Sequence, residues 1–402
     1  MTFSIHDQLH IVADFYGCSE KLLEKKEIVE NIFKQMLEVV PLSVISSDFY
    51  QFSPVGVTGF VMIEESHVSI HTWPEKGAIA IDIFTCGDKQ LARDAYEFLK
   101  KAFKPTKIEM KEIFRFDTSA PKWFDDKYDE YSINRIRIAD KIFEAKSKFQ
   151  SIKVFDTPIF GKMLVVDDDV QSTQADEFVY HESLIHPTLI LHPNPKKVLI
   201  LGAGEAATGR EAVKHNVVES VTAIDIDKEV MDIVKKELVE WHQNVFDNPK
   251  YNLIIDDANH FIETTNEKFD VVISDLTDPV RDSPICPFYK EKFYKKVKQK
   301  MNKNGIFATQ AHDIGSLRWK LHFDTVKELK KVFKHVRSYS VYIDSFKTNW
   351  GFIIASDNSI EFGDINKILA DHGVSGLKHY DQESHTRAFS LPKYIREKLK
   401  KV

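Results

Sequence analysis

Two clusters in the chain carry side chains able to move protons or hold a charged ligand. The first is Glu65-Ser66-His67-Val68-Ser69-Ile70-His71-Thr72-Trp73-Pro74-Glu75, followed shortly by Phe84-Thr85-Cys86-Gly87. A hydroxyl, an imidazole titrating near neutrality and a thiol are the parts of nucleophilic and proton-transfer chemistry. The same residues on short strands also make ordinary hydrogen-bonding surface, and their spacing leaves both readings open. The second cluster is Gly202-x-Gly204-Glu205-x-Ala207, which leaves an apolar strand and opens a helix, with Asp225 at the end of the next strand. That glycine pattern suits NAD, FAD or an S-adenosylmethionine-type nucleoside, with Asp225 accepting from ribose hydroxyls. Glu205 narrows the choice: a carboxylate in that loop repels a pyrophosphate and attracts a ligand carrying an ammonium, unless it simply faces solvent.

The elements around these clusters predict two to three domains in 402 residues. Residues 1–118 read as one α+β unit: a strand over 9–15, a helix over 20–39 with Leu23, Ile28, Ile32, Phe33 and Leu37 on its apolar face, strands at 42–52, 58–63, 68–72 and 78–84, a helix over 89–103 and a strand over 106–114. Residues 116–130 lack a period and read as a linker, with the boundary near 118. Short strands and turns follow over 131–175, in a subdomain placed at 119–175. From 176 onward helices alternate with apolar strands at 198–201, 220–225, 252–255 and 271–274, predicting a parallel doubly wound sheet through the final domain, 176–402. The run Lys393 to Lys401 reads as a solvated helix face.

Composition bounds the function. The net charge is −6 with 43% apolar and 29% charged residues, ordinary for a folded soluble chain. No run approaches a membrane span, and the start lacks a signal-peptide pattern, so a cytoplasmic protein with no membrane partner is expected. Mild acidity disfavours nucleic acid and suits cationic ligands. Three cysteines, Cys18, Cys86 and Cys286, do not make a disulfide framework, and no Cys/His spacing predicts a metal site.

The segment Gly56-Val57-Thr58-Gly59, Glu65 to Glu75 and Asp82-Ile83-Phe84-Thr85-Cys86-Gly87 resembles the bacterial and archaeal S-adenosylmethionine decarboxylases over residues 8–115. The resemblance implies an α+β sandwich and a covalent pyruvoyl group made from Ser66. Its hydroxyl would attack the Glu65 carbonyl, and elimination of the ester would split the chain into 1–65 and 66–402. The resulting ketone, forming a Schiff base with the substrate amine, is the electron sink for decarboxylation. By the same resemblance His71 is the processing histidine, and Thr58 stands where a serine is usual and keeps its hydroxyl. Cys86 is the acid that reprotonates the product.

Leu164 to Gln171, Asp176-Glu177-Phe178-Val179-Tyr180-His181-Glu182, Gly202 to Glu211, Asp225, Asp256-Asp257-Ala258 and Asp275-Leu276-Thr277-Asp278-Pro279 resemble the polyamine aminopropyltransferases, from about Trp123 to Pro392. That implies a small β subdomain followed by a Rossmann-like, methyltransferase-like sheet. It also implies transfer of aminopropyl from decarboxylated S-adenosylmethionine to an amine, putrescine foremost. An ammonium has no lone pair and titrates near about 10.4, so a base must act on it. Asp275 matches that base, and Tyr180 with Asp278 the residues that hold the amine. Glu205 matches the acid receiving the aminopropyl ammonium, and would repel the carboxylate of undecarboxylated donor. Gln171 and His181 match substrate contacts, Asp225 the ribose ligand, and Asp257 with Ala258 the adenine side. Glu205, Leu276 and Ala258 depart from the commonest spermidine synthase pattern toward the branch using agmatine or making thermospermine.

The expectation is therefore a bifunctional, homo-oligomeric enzyme, dimer or tetramer, joining the supply of the donor to its use. Its rivals are a pyruvoyl arginine or ornithine decarboxylase in the first domain, a silent first domain acting as an assembly module, and a nicotinamide oxidoreductase resting on the glycine loop.

Overall fold

The computed structural model describes residues 8–64, 66–115, 122–127, 132–278 and 284–402. The chain forms two compact units, Met1–Ala120 and Pro121–Val402. The boundary expected near 118 and the side chain of Glu65 lie outside the described residues.

In the first unit, β1 (Gln8–Tyr16) is followed by α1 (Glu20–Leu23), α2 (Lys26–Val39), β2 (Val44–Gln51), β3 (Val57–Ile63), β4 (Ser66–Trp73), β5 (Ala78–Thr85), α3 (Lys89–Phe103) and β6 (Lys107–Arg115). The strands form one antiparallel sheet in the order β2-β3-β4-β5-β1-β6. Alternate residues of β1 and β5, such as Leu9, Ile11, Ile81 and Ile83, are buried with Phe33, Met36 and Leu99 of the helices. The other face carries Phe60, Met62 and Trp73 exposed.

The helix expected over 20–39 is two helices. The Gln51 amide accepts from Lys26 N at 2.7 Å and donates to Glu24 O at 2.8 Å, so a side chain distant in sequence satisfies the backbone where the helix breaks. The buried face is also offset from the expected one: Val29 and Met36 are fully buried, while Ile28 and Leu37 pack only partly against the core. Asp88 caps α3 through Gln90 N, a contact worth about 1 kcal/mol.

The second unit begins with β7 (Lys122–Lys127), β8 (Ile133–Ile138), β9 (Asp140–Lys146), β10 (Ser151–Thr157), β11 (Gly161–Val166) and β12 (Asp169–Thr173). Strand β7 lies inside the expected linker; pairing with β8, rather than internal alternation, holds it extended. Strands β9 to β12 make a four-stranded antiparallel sheet.

Then come α4 (Glu177–Leu191), β13 (Lys197–Leu201), α5 (Ala207–Val213), β14 (Ser220–Asp225), α6 (Lys228–Glu237), α7 (Val239–His242), β15 (Tyr251–Ile255), α8 (Ala258–Thr264), β16 (Phe269–Ser274), α9 (Glu291–Gln299), β17 (Met301–Asp313), α10 (Lys320–Lys330), β18 (His335–Ile343), β19 (Thr348–Ser356), α11 (Ile365–Asp371), α12 (Gln382–Phe389) and α13 (Lys393–Leu399). The seven-stranded sheet runs β15-β14-β13-β16-β17-β19-β18. It is not parallel throughout: β19 is antiparallel to both neighbours. Strand order reverses direction beside β13, so the loops after β13 and β16 share one crevice at their carboxyl ends. Helix α4 is buried on nearly all sides, including Glu177, His181, Glu182 and His186. Helix α13 is not wholly solvated, since Ile395 is buried with Ile314, Phe323 and Leu391.

Candidate active sites

In the first unit Ser66 opens β4, opposite Thr85 at the end of β5. Cys86 follows Thr85 directly, in a turn where Gly87 N donates to Thr85 Oγ1 at 3.0 Å. Serine and thiol therefore belong to the same end of the sheet. Ser66 Oγ lies 3.3 Å from His67 Nδ1, and its φ of +155° is unusual for a residue with a side chain. The imidazoles of His67 and His10 flank Phe84, and His10 Nε2 meets Asp82 Oδ1 at 3.1 Å. His10 is not among the residues the sequence singles out, and His67 and Asp82 stand there only within longer motifs; the signal was their shared parity on strands that alternate in burial.

Thr58 and His71 are cross-strand partners, and Thr58 Oγ1 lies 2.6 Å from His71 Nδ1. They do not meet Ser66. His71 is five residues further along β4, about 17 Å at the usual strand rise. Alternation also places His71 on the open face, whereas Ser66 has the parity of buried Val68 and Ile70.

In the second unit the glycine loop leaves β13. Gly202 has φ +88°, and a Cβ there would sit 2.3 Å from the Asp275 carbonyl oxygen, so only glycine lets the two loops approach this closely. Asp275 is gripped on both oxygens: Tyr180 Oη donates to Oδ1 and Thr208 Oγ1 to Oδ2, each at 2.5 Å. Burial pushes the Asp275 carboxyl up, against the lowering pull of the His181 charge and the two hydroxyl contacts. Thr208 was missed from sequence, although it lies within the glycine-loop cluster.

Glu205 is not a solvent-facing residue. Its Oε1 lies 3.4 Å from His181 Nε2, and His181 Nδ1 reaches Glu177 Oε2 at 2.9 Å. Burial disfavours the charged imidazole, but Glu177 and Glu205 outweigh it and hold His181 up at about 10. Burial likewise acts against the Glu205 carboxylate, and His181 outweighs it, keeping Glu205 below the ordinary range. Behind them Arg210 spans Glu177 and Glu211, and Glu211 Oε2 meets His186 Nε2 at 3.1 Å. His186 continues to His215 at 2.9 Å. Glu182 instead accepts from the backbone of Lys378, His379 and Tyr380, a structural clamp on the C-terminal segment.

Asp225 Oδ2 accepts from Ala203 N at 3.1 Å and Gly204 N at 3.3 Å, tying the second strand's end to the loop. Asp257 caps α8 through His260 N at 2.9 Å, with Ala258 buried as its first residue. Asp278 accepts from Gln310 Nε2 at 3.0 Å and faces His312 Nε2 at 3.4 Å. Gln171 is half-buried beside Asp169, donating to its carbonyl at 3.4 Å. Pro279 lies outside the described residues.

Comparison with known proteins separates the two units. Residues 9–116 match the S-adenosylmethionine decarboxylase model, 122–174 the spermidine synthase tetramerisation domain and 177–364 the spermine/spermidine synthase domain. A polyamine aminopropyltransferase of Sulfurisphaera tokodaii is 44% identical over 276 residues, covering 67% of this chain and 91% of that protein. The chain belongs to the polyamine aminopropyltransferase family, here fused to an S-adenosylmethionine decarboxylase domain. The aminopropyltransferase part is also similar to thermospermine synthase ACAULIS5 of Arabidopsis thaliana, 37% identical over 283 residues, 69% of this chain and 83% of that one. The spermidine synthase of Thermotoga maritima superposes with a TM-score of 0.64 at 27% identity, covering 70% of this chain and 96% of that one. No helix among the described residues is long and apolar enough to cross a membrane.

Proposed function

We propose that the two domains carry out successive reactions of polyamine synthesis: residues 1–118 decarboxylate S-adenosylmethionine, and residues 119–175 and 176–402 transfer aminopropyl from the decarboxylated product to an amine. The observation that carries the second half is the grip of Tyr180 and Thr208 on Asp275, beside a glycine loop whose acid, Glu205, is held ionised by His181. The Rossmann-like sheet presents Asp225 to the ribose and Asp257 to the adenine. Glu205 receives the donor ammonium, and a second carboxylate on the donor would be repelled there. Asp278 and Tyr180 orient the attacking amine. Asp275 takes its proton, and burial supports this by raising the carboxyl's basicity.

In the first domain Ser66 is the source of a pyruvoyl group, which supplies the electron sink for decarboxylation. The half-buried thiol of Cys86, at the same end of the sheet, fits a proton donor to the product carbon. His71 cannot take the Ser66 proton within one chain. Its partnership with Thr58 on the open face fits delivery by His71 of the partner subunit, and the exposed Phe60, Met62 and Trp73 support a homo-oligomer on that face. The tetramerisation-domain match over 122–174 supports further assembly. A cytoplasmic location fits this chemistry.

Putrescine is the acceptor favoured here. The likeness to a thermospermine synthase supports spermidine as a second acceptor, and the departures at Glu205, Leu276 and Ala258 support agmatine as a third. Intact mass spectrometry of the chain incubated with S-adenosylmethionine and each amine tests both halves. Cleavage at Ser66 with aminopropylated product is expected; an uncleaved chain, or loss of CO₂ without transfer, overturns the corresponding half.

A further inference from the structure

Trp241, on the short helix α7, is fully buried and has no part in the transfer chemistry proposed above. Both of its polar ends are engaged. Its carbonyl accepts from Arg210 Nη1 at 2.5 Å, and its indole Nε1 donates to Ser172 Oγ at 2.6 Å. Ser172 is itself buried, one residue before the end of β12. A serine hydroxyl has a single proton to give. The indole N–H occupies the Ser172 oxygen as an acceptor, and the hydroxyl serves the Glu205 carboxylate, helping His181 to hold it low against the opposing effect of burial.

The two ends of Trp241 thus lead to the same carboxylate by different routes. From the carbonyl the path runs through Arg210 to Glu177, which accepts from Nη1 at 3.0 Å and from Nη2 at 2.9 Å. Glu177 Oε2 meets His181 Nδ1 at 2.9 Å, and His181 Nε2 stands 3.4 Å from Glu205 Oε1. From the indole the path runs through Ser172 alone. Glu205, His181, Glu177, Arg210, Trp241 and Ser172 close a ring in which every member but the half-buried Glu205 is fully buried. A satisfied polar network in a dry interior holds one geometry. Glu205 needs that bracing, because a glutamate side chain has many rotamers to lose.

We propose that Trp241, acting through Ser172, is a positioning residue that fixes the Glu205 carboxylate where the ammonium of the donor arrives. The indole orients the hydroxyl, and the hydroxyl and the His181 ring together hold the carboxylate. The ammonium then meets an acid that needs no rearrangement, and the ordering cost is met by the fold rather than by binding. This rests on the transfer reading above and adds the residues that set donor recognition at that site.

The test supplies the full chain with decarboxylated S-adenosylmethionine and putrescine. It reads KM for the donor and the inhibition constant of methylthioadenosine, which has the nucleoside but no ammonium. Ser172→Ala should raise donor KM about 10-fold, as for one lost hydrogen bond to a charged group. The methylthioadenosine constant should stay where it is. Trp241→Phe keeps an aromatic ring and loses the N–H, and should move donor KM in the same direction without moving the methylthioadenosine constant. The double variant should be no weaker than Ser172→Ala alone, because the indole acts through the hydroxyl. Damage to the fold would weaken both ligands together, and that result overturns the proposal. So does an unmoved donor KM, or a double variant whose losses multiply. If Trp241→Phe does not fold, a benzothienyl-alanine in place of Trp241, with the ring shape and no N–H, takes its part under the same outcomes. Any of these failures in a chain whose native form transfers aminopropyl defeats this inference alone. A native chain that transfers to no amine defeats the transfer reading together with it.

Discussion

Tyr180 donates its hydroxyl to Asp275 Oδ1 at 2.5 Å, while Thr208 holds the other oxygen. The carboxylate is thereby oriented but not neutralised, since neither partner carries a charge. Burial raises its pKa, which suits the proposed role of base toward an acceptor amine.

Asp275→Asn keeps the shape and loses the proton acceptor. Aminopropyl transfer should fall by about 10²- to 10⁴-fold, the usual range for a lost general base. Decarboxylation of S-adenosylmethionine, measured on the same preparation, should be unchanged. Undiminished release of methylthioadenosine would assign the base elsewhere.

Ser66→Ala should leave the chain whole, because no hydroxyl remains to attack. His71→Ala should also stay whole alone. Co-expressed with Ser66→Ala, it should be cleaved, since one copy then offers Ser66 and the other His71. Gel analysis with differently tagged copies reads this directly. His71→Ala chains that stay whole in the mixed oligomer would place the histidine's action within one chain.

Cys86→Ala should cleave normally and then decarboxylate poorly, by about 10²-fold or more for a lost proton donor. The thiol is proposed to act only after the pyruvoyl group exists. Normal turnover by the cleaved variant would remove it from the reaction.

His181 is held at about 10, above the value near 6.5 expected in the unfolded chain. Folding therefore favours the protonated ring. Its contribution is fully present below about pH 6.5 and is lost as pH rises toward 10. Melting curves of the native chain and His181→Gln should converge over that window, the native advantage being largest at the acid end. An advantage that grows with pH would mean the ring is buried neutral. Donor KM should rise in the variant, because Glu205 loses the charge that keeps it ionised.

Most strands and the long helices were legible because their apolar residues recur with the period of the element. The break between α1 and α2 was not, since it depends on Gln51, a residue of another strand. Strand β7 was hidden because Lys122-Trp123-Phe124-Asp125-Asp126-Lys127 lacks alternation and is held by its neighbour. The reversed direction of β19 is a property of chain routing rather than of its residues. At the sites, the resemblance names Ser66 and His71 together but not the distance along β4 that separates them, which only the strand's extended geometry gives. Thr208 and His312 have ordinary surroundings in the sequence. Only the folding of β16, β17 and the glycine loop gives them charged neighbours.

On the proposed delivery of His71 by another copy, the run of β4 from Ser66 to His71 also bears on how self-cleavage responds to dilution. A site that borrows His71 from another copy exists only in assembled protein, so self-cleavage should slow with the square of chain concentration once subunits separate. The residues proposed for transfer, Tyr180, Thr208 and Asp275 with Glu205 and His181, meet within one chain, so turnover there is expected to follow concentration less steeply. On this proposal, the fraction of chain cleaved becomes a readout of assembly.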